Sequence, residues 1–274
     1  MDGRRPAGYC LLLIGTMTWL LSACSTMPEF MRTAPPSPPQ SKTFTVLTYN
    51  TLHGLEVGKF WVRQIETDEQ YRARFTLRIK QLAEAQPDVI LLQEVNPLPA
   101  MAHDYVEALA QQGLHYAEVH QVDACGLRLA PSLAILPGLN NGLVILAKAP
   151  LTIRKLDGLK LSGPIGGCGD YAGVQFGELR YALLAEVTAP ATGMTYLVAT
   201  MHLHSGIERD AKVLHELMEA HSQGHLQYYD QLMAELKMDE HRRQMELYTL
   251  TDALRQHQMH RRYDGIILGG DLNF

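Results

Sequence analysis

The chain has 274 residues, 46% of them hydrophobic, and sets 24 Lys and Arg against 29 Asp and Glu for a formal net charge of -5. That length supports one large domain with a substantial core, or two small ones. The acidic balance excludes a global basic field for holding a polyanion, which disfavours a general nucleic-acid binder and leaves only a local basic groove for that use.

Arg4 and Arg5 precede an apolar run from Cys10 to Leu21, and small residues then lead to Leu21-Ser22-Ala23-Cys24. A charged start, a short apolar centre and a small-residue cleavage site describe a signal peptide over residues 1–23. The run is too short to cross roughly 30 Å of hydrocarbon at about 1.5 Å per residue. Leu-Ser-Ala-Cys also resembles the lipobox of bacterial lipoproteins, which implies that Cys24 is lipidated and becomes the first mature residue. Ser25 after it implies, by the same resemblance, the outer membrane, with the protein held to the bilayer by its acyl chains at roughly 0.8 kcal/mol per buried CH₂. An ordinary secretory signal with an incidental cysteine is the alternative. Residues 24–42 carry Pro28, Pro35, Pro36, Pro38 and Pro39 among Ser, Thr and Gln and read as an extended tether, leaving 43–274 as the folded domain. In that domain Cys125 and Cys168 are either a disulfide, which an exported compartment permits, or two free thiols.

Phe44 to Tyr49 alternates apolar and β-branched residues and predicts a strand ending at Asn50. Glu69 to Ala85 places Phe75, Ile79 and Leu82 at helical spacing, and Pro87 stops the helix. Asp88 to Gln93 has the pattern of a buried strand and delivers Glu94 to its end. A helix over 101–112, a strand from Tyr116 to His120 and a Gly/Pro-containing loop to Asn141 follow. Strands are then predicted at Leu143–Leu146, Leu151–Leu156, Tyr181–Val187 and Tyr196–Met201. Ile207 to Met259 is a long polar stretch with helical spacing, and Ile266–Leu268 is a last buried strand before Gly269-Gly270. Many strands and few helices predict a mixed α/β domain with packed sheets.

Each of four apolar strands presents a polar group at its exit: Asn50, Glu94, His202 and Asp271. Strand ends are rigid platforms on which residues distant in sequence can converge. Carboxylates at Glu94 and Asp271 with amides at Asn50 and Asn273 form a hard oxygen set suited to Mg²⁺, or to Mn²⁺ or Ca²⁺. A cation beside an acid-base group offsets phosphate charge and aligns an attacking water.

Thr48-Tyr49-Asn50, Leu92-Gln93-Glu94, Asn141-Gly142-Leu143-Val144-Ile145-Leu146, Thr200-Met201-His202-Leu203 and Gly270-Asp271-Leu272-Asn273 resemble, in order, motifs of the endonuclease/exonuclease/phosphatase superfamily. The resemblance covers residues 44–274 and implies a DNase I-like, four-layer αββα sandwich with its site at one edge of two sheets. It implies Glu94 as the principal metal ligand with Asn50 its neighbour, and Asp271 orienting or activating the water. Asn273 would bond the phosphate and His202 would steady the phosphate or leaving group. His204, two residues on, competes with His202 for that place. Arg180 starts a strand where some members contact phosphate, although an exposed arginine is the preferred reading, and Asn141 either shapes the site or starts the turn before a strand.

Members of the superfamily carry a further Ser-Asp-His motif near the C-terminus, which is not found here, so a truncated frame with poor activity is expected. The 206–262 stretch is longer than the resemblance implies and is either a substrate-facing insertion or an amphipathic pair of helices. A monomeric phosphodiesterase acting on a lipid phosphodiester, and reaching the membrane through its anchor, is the leading reading. A secreted nuclease is the second, nucleic acid being a possible but disfavoured partner, and a non-catalytic binding lipoprotein is the third.

Overall fold

The computed structural model describes residues 44–57, 62–125, 128–130, 133–134, 140–163, 166–168, 173–175, 179–206 and 211–273. The signal segment, Cys24 and the tether lie outside them. In chain order the elements are β1 (Val46–Asn50), β2 (Leu55–Val57), β3 (Val62–Gln64), α1 (Asp68–Ala85), β4 (Val89–Val95), α2 (Ala100–Ala110), β5 (Tyr116–Cys125), β6 (Arg128–Ala130) and β7 (Leu133–Ala134). They continue as β8 (Asn140–Lys148), β9 (Thr152–Ser162), β10 (Gly166–Cys168), β11 (Gly173–Gln175), β12 (Arg180–Ala189), β13 (Met194–His202), α3 (Ala211–Ser222), α4 (Leu226–His260) and β14 (Gly265–Asp271).

Local chemistry sets the helix limits. Thr67 caps α1 through its side chain, and Gln70 returns the bond to the Thr67 N–H, so the helix starts one residue before the predicted Glu69. It ends where Gln86 adopts a left-handed conformation ahead of Pro87. The long polar stretch forms α3 and the 35-residue α4, broken near Gly224. Within the predicted loops, three short ribbons form (β2 with β3, β6 with β7, β10 with β11), which no apolar alternation announces. The backbones of Cys125 and Cys168 end β5 and β10, but their side chains fall outside the described residues.

Two four-stranded sheets have the same internal plan. The first runs β1-β4-β8-β5, with β1 and β4 parallel and the rest antiparallel; the second runs β14-β13-β12-β9, with β14 and β13 parallel and the rest antiparallel. Alternation along the strands then builds the layers. Val89 and Leu91 of β4 face Leu183, Ala185 and Val187 of β12 and Val198 of β13 between the sheets. Ile90 and Leu92, one residue out of phase, face Ile79 and Leu82 of α1 and Tyr105 and Leu109 of α2. On the far side Ala182, Leu184, Leu197 and Ala199 pack on Leu250 and Leu254 of α4. The result is the four-layer αββα sandwich. Among the described residues no helix is long and apolar enough to cross a membrane.

On the outer face of the second sheet, Glu186 accepts hydrogen bonds from Arg154 Nη2 (2.5 Å), Arg261 Nη1 (2.7 Å) and Tyr263 Oη (2.9 Å). Burial pushes its pKa up, but the bonds from Arg154 and Tyr263 and the charges of Arg154 and Arg261 outweigh this and hold it below its ordinary 4.5. A carboxylate depressed in the fold stabilises it above the unfolded pKa, and that contribution is lost as pH falls through the folded value. Glu186→Gln is therefore expected to lower the melting temperature at neutral pH. Its deficit relative to wild type should close as the pH is taken from about 5 towards about 2, followed by thermal melts.

Candidate active site

The two parallel strand pairs put their carboxyl ends at the same edge of the sandwich. In register, Asn50 of β1 lies beside Gln93 of β4, and His202 of β13 lies beside Asp271 of β14. Gly269 allows the second pair to close on the first, since a Cβ there would stand 2.7 Å from Leu91 Cδ1. Gly270, at φ +152°, would drive a Cβ into the Met201 carbonyl oxygen.

At the point of contact one amide joins both sheets. Asn50 Nδ2 donates to Glu94 Oε1 at 2.9 Å and to Asp271 Oδ2 at 2.8 Å, while its Oδ1 accepts the Leu52 N–H at 2.9 Å. His202 Nε2 stands 3.8 Å from Glu94 Oε1 and 3.9 Å from Asp271 Oδ2. Behind its ring, Arg180 Nη1 lies 3.5 Å from Nδ1. A guanidinium can only donate, so in the neutral ring this contact suits Nδ1 as the acceptor, with the proton on Nε2 facing the carboxylates.

Beneath these residues Gln93 is buried, and the two protons of its Nε2 are shared among Thr48 Oγ1 (3.2 Å), the Leu91 carbonyl (3.0 Å) and, across the core, Thr200 Oγ1 (3.0 Å). The two sheets are thereby tied directly under the site. Backbone strain gathers at the same edge. Of four non-glycine residues at positive φ among the described residues, Gln86 is a helix cap, and the other three, Leu52 (52°), Glu94 (57°) and Asn273 (52°), surround the carboxylates. Such conformations cost about 1–3 kcal/mol each and persist where packing over-determines them. At Glu94 the strain coincides with a break in the β4–β8 register between Leu92 and Val95, which turns the carboxylate out of the strand.

Glu94 is largely buried, which raises its pKa, yet the Asn50 hydrogen bond, the neighbouring His202 and His53, and the His53 N–H (3.0 Å to Oε2) bring it below its ordinary value. It is ionised at neutral pH. His53 has its pKa lowered by burial, with Arg180 and Arg74 adding to the shift and Glu94 opposing it. A partly buried pair of carboxylates sharing one amide nitrogen is the oxygen donor set that Mg²⁺ uses, with waters and substrate completing the shell. Among the described residues no group of three or more His, Cys, Asp or Glu forms a metal cage.

The fold can be set beside solved structures. ANGEL2, a 2',3'-cyclic phosphatase solved with adenosine-2',3'-vanadate, superposes with a TM-score of 0.50 at 15% identity, over 84% of this chain and 53% of that one. An endonuclease/exonuclease/phosphatase family protein from Bacteroides thetaiotaomicron gives 0.50 at 15% identity, over 84% of this chain and 63% of its own. The chain has the endonuclease/exonuclease/phosphatase fold. It spans between about half and two thirds of the length of these structures. No protein-family model matches the sequence, and no curated protein does.

On that fold, Asn50, Glu94, His202 and Asp271 come together, with Arg180 against His202. Arg180 is buried rather than exposed, because it enters β12 beside the exit of β13 and reaches Ser205 Oγ (3.4 Å) as well. As a metal ligand Asn50 would have to turn its carbonyl to the carboxylates; as placed, it orients them. Asn273 donates its N–H to Asp271 Oδ1 (3.0 Å) and its Nδ2 to the Leu203 carbonyl (2.6 Å), so it steadies Asp271. Asn141 is buried in β8, with an Oδ1 that accepts no hydrogen bond among the described residues. His204 is not brought to the carboxylates: the strand ends at His202, and His204 turns to α4, with Nε2 2.7 Å from Asp239 Oδ1.

Sequence reading missed His53, Gln93, Thr200 and two arginines. Arg74 and Arg78 of α1 donate to the carbonyls of Thr51 and Leu52, holding the turn that follows Asn50. A signal existed only for Gln93, a polar residue inside an apolar strand. Asn50→Ala would leave Glu94 and Asp271 facing each other without their shared donor. It is expected to cost about 1.5–3 kcal/mol in urea unfolding at neutral pH. Added Mg²⁺ should recover part of that loss.

Proposed function

We propose that this protein is a divalent-metal-dependent phosphoesterase that hydrolyses a phosphodiester, with a lipid head-group ester favoured. The observation that carries the reading is the convergence of Glu94 and Asp271 on Asn50 Nδ2, with His202 Nε2 and Arg180 on the same side. An unrelieved pair of carboxylates would repel phosphate, so the site is useful to a phosphate ester only with a cation between them and the ester. The fold of a 2',3'-cyclic phosphatase supports the phosphoester class.

Glu94, held ionised, and Asp271 would hold the ion; Mg²⁺ fits their oxygen donors, and Mn²⁺ or Ca²⁺ can replace it. When bound, it neutralises phosphate charge and lowers the pKa of a coordinated water. The chain's own groups supply the rest. Asn50 and Asn273 fix the two carboxylates. His202, with its proton on Nε2, donates to a phosphoryl or leaving oxygen as charge builds there. Arg180, behind the ring, keeps that tautomer and adds positive charge for the phosphate. Lipidation at Cys24 with outer-membrane anchoring is part of the same proposal and would keep the site near lipid substrate.

The test is hydrolysis of bis(4-nitrophenyl) phosphate, sphingomyelin vesicles and single-stranded DNA by the purified full chain, with and without chelator. Slow turnover is expected with Mg²⁺, to disappear with EDTA, and to fall by about 10²–10³-fold in His202→Gln. Turnover that survives chelation, or is unchanged in Glu94→Gln, would remove the reading. Preference for DNA with a steep loss on adding salt would transfer it to the nuclease.

A further inference from the structure

The geometry points to α4 as the positioning element of the site: Glu246 and Asp239 grip the turn Leu203–Ser205 and, through it, set His202, Arg180 and Asn273. The inference rests on reading this edge as a phosphoesterase site, and it gives the long helical stretch a task. Glu246 is fully buried in the middle of α4, where a carboxylate is costly unless bonded. Its Oε2 accepts the His204 backbone N–H at 2.8 Å, while Oε1 takes the Ser162 hydroxyl at the end of β9 and Arg242 Nε at 3.2 Å. About two helical turns before Glu246, Asp239 meets His204 Nε2 at 2.7 Å. One helix thus fixes both the backbone and the side chain of His204.

The gripped turn is a hub. Its first residue accepts Asn273 Nδ2 on the Leu203 carbonyl and donates its N–H to the Asp271 carbonyl at 2.9 Å. Its last residue receives Arg180 Nη2 at Ser205 Oγ. His202 is the residue immediately before it. Three groups that line the site are therefore attached to one tripeptide whose other side is bonded to α4.

The opposite helical layer is built the same way with the charges reversed. Arg74 and Arg78 of α1 hold the carbonyls of Thr51 and Leu52, the turn that follows Asn50. Each sheet carries its site residues at a strand exit, and each exit is pinned by charged residues of the helix covering that sheet. A helix that served only to cover the sheet would need its apolar face, Leu250 and Leu254, and no buried carboxylate on the turn.

The experiment is NMR of the imidazole nitrogens in the histidine-labelled full chain, with the His202 signals identified by their loss in His202→Gln. Asp239→Ala and Glu246→Ala are expected to move the His202 signals, while Glu240→Gln, on the exposed face of α4, leaves them in place. Hydrolysis of bis(4-nitrophenyl) phosphate should show kcat lowered by about tenfold or more in both variants, with KM changed less, because misplacement of a reacting group acts on turnover. Glu246→Gln, which keeps an acceptor for His204 N–H, should recover most of the loss. Unmoved His202 signals in a folded Asp239→Ala protein would overturn the inference, and this variant decides the matter if Glu246→Ala does not fold. If wild type hydrolyses no phosphate ester, the functional reading falls, while the His202 signals still decide whether α4 positions the turn.

Discussion

Everything at this edge depends on holding two like charges together. Glu94 and Asp271 leave different sheets, and in an otherwise apolar sandwich their mutual repulsion would splay the strand ends. The Asn50 amide sits between them and donates to both. Ion-dipole bonding of this kind is strong where solvent is partly excluded, which is why Glu94 stays ionised despite its burial. The arrangement holds the carboxylates apart by one nitrogen and leaves His202 and Arg180 to offset their charge on the other side.

That contact is possible only because the sheets share a plan. In each, the edge pair is parallel, so both of its strands point their carboxyl ends the same way. Packing the sheets face to face then brings the two parallel edges together, with Gly269 permitting the approach to Leu91 and the Gln93–Thr200 bond fixing it. A buried polar link between sheets specifies their mutual register in a way that Val and Leu contacts do not, since an apolar interface can slide with little change in energy. Local strain at Leu52, Glu94 and Asn273 is what the fold tolerates to aim three turns at one place.

The helical layers contribute more than cover. Arg74 and Arg78 on one side and Asp239 and Glu246 on the other tie strand-exit turns to rigid helices. Turns of this kind would otherwise sample many conformations, and a site built on them would be loose. Pinning both exits converts flexible loop residues into fixed points without adding any group to the site itself.

Much of this was legible in the sequence. Apolar and β-branched runs marked the sheet strands, and polar residues at four exits named Asn50, Glu94, His202 and Asp271, because an apolar run and the polar residue that ends it are local properties of the chain. Helix α1 was legible for the same reason, down to one residue. The sequence could not say which histidine of His202 and His204 faces the carboxylates, because both lie near one strand end and only its termination at His202 separates them. Nor could it give Arg180 its burial or α4 its hold on the turn, since each depends on partners 20 to 40 residues or more away: Arg180 to His202, 22 positions on, and Glu246 to His204, 42 positions back. Local pattern determines what each segment can become; which polar groups meet is decided only when two sheets pack and burial makes an unpaired charge costly.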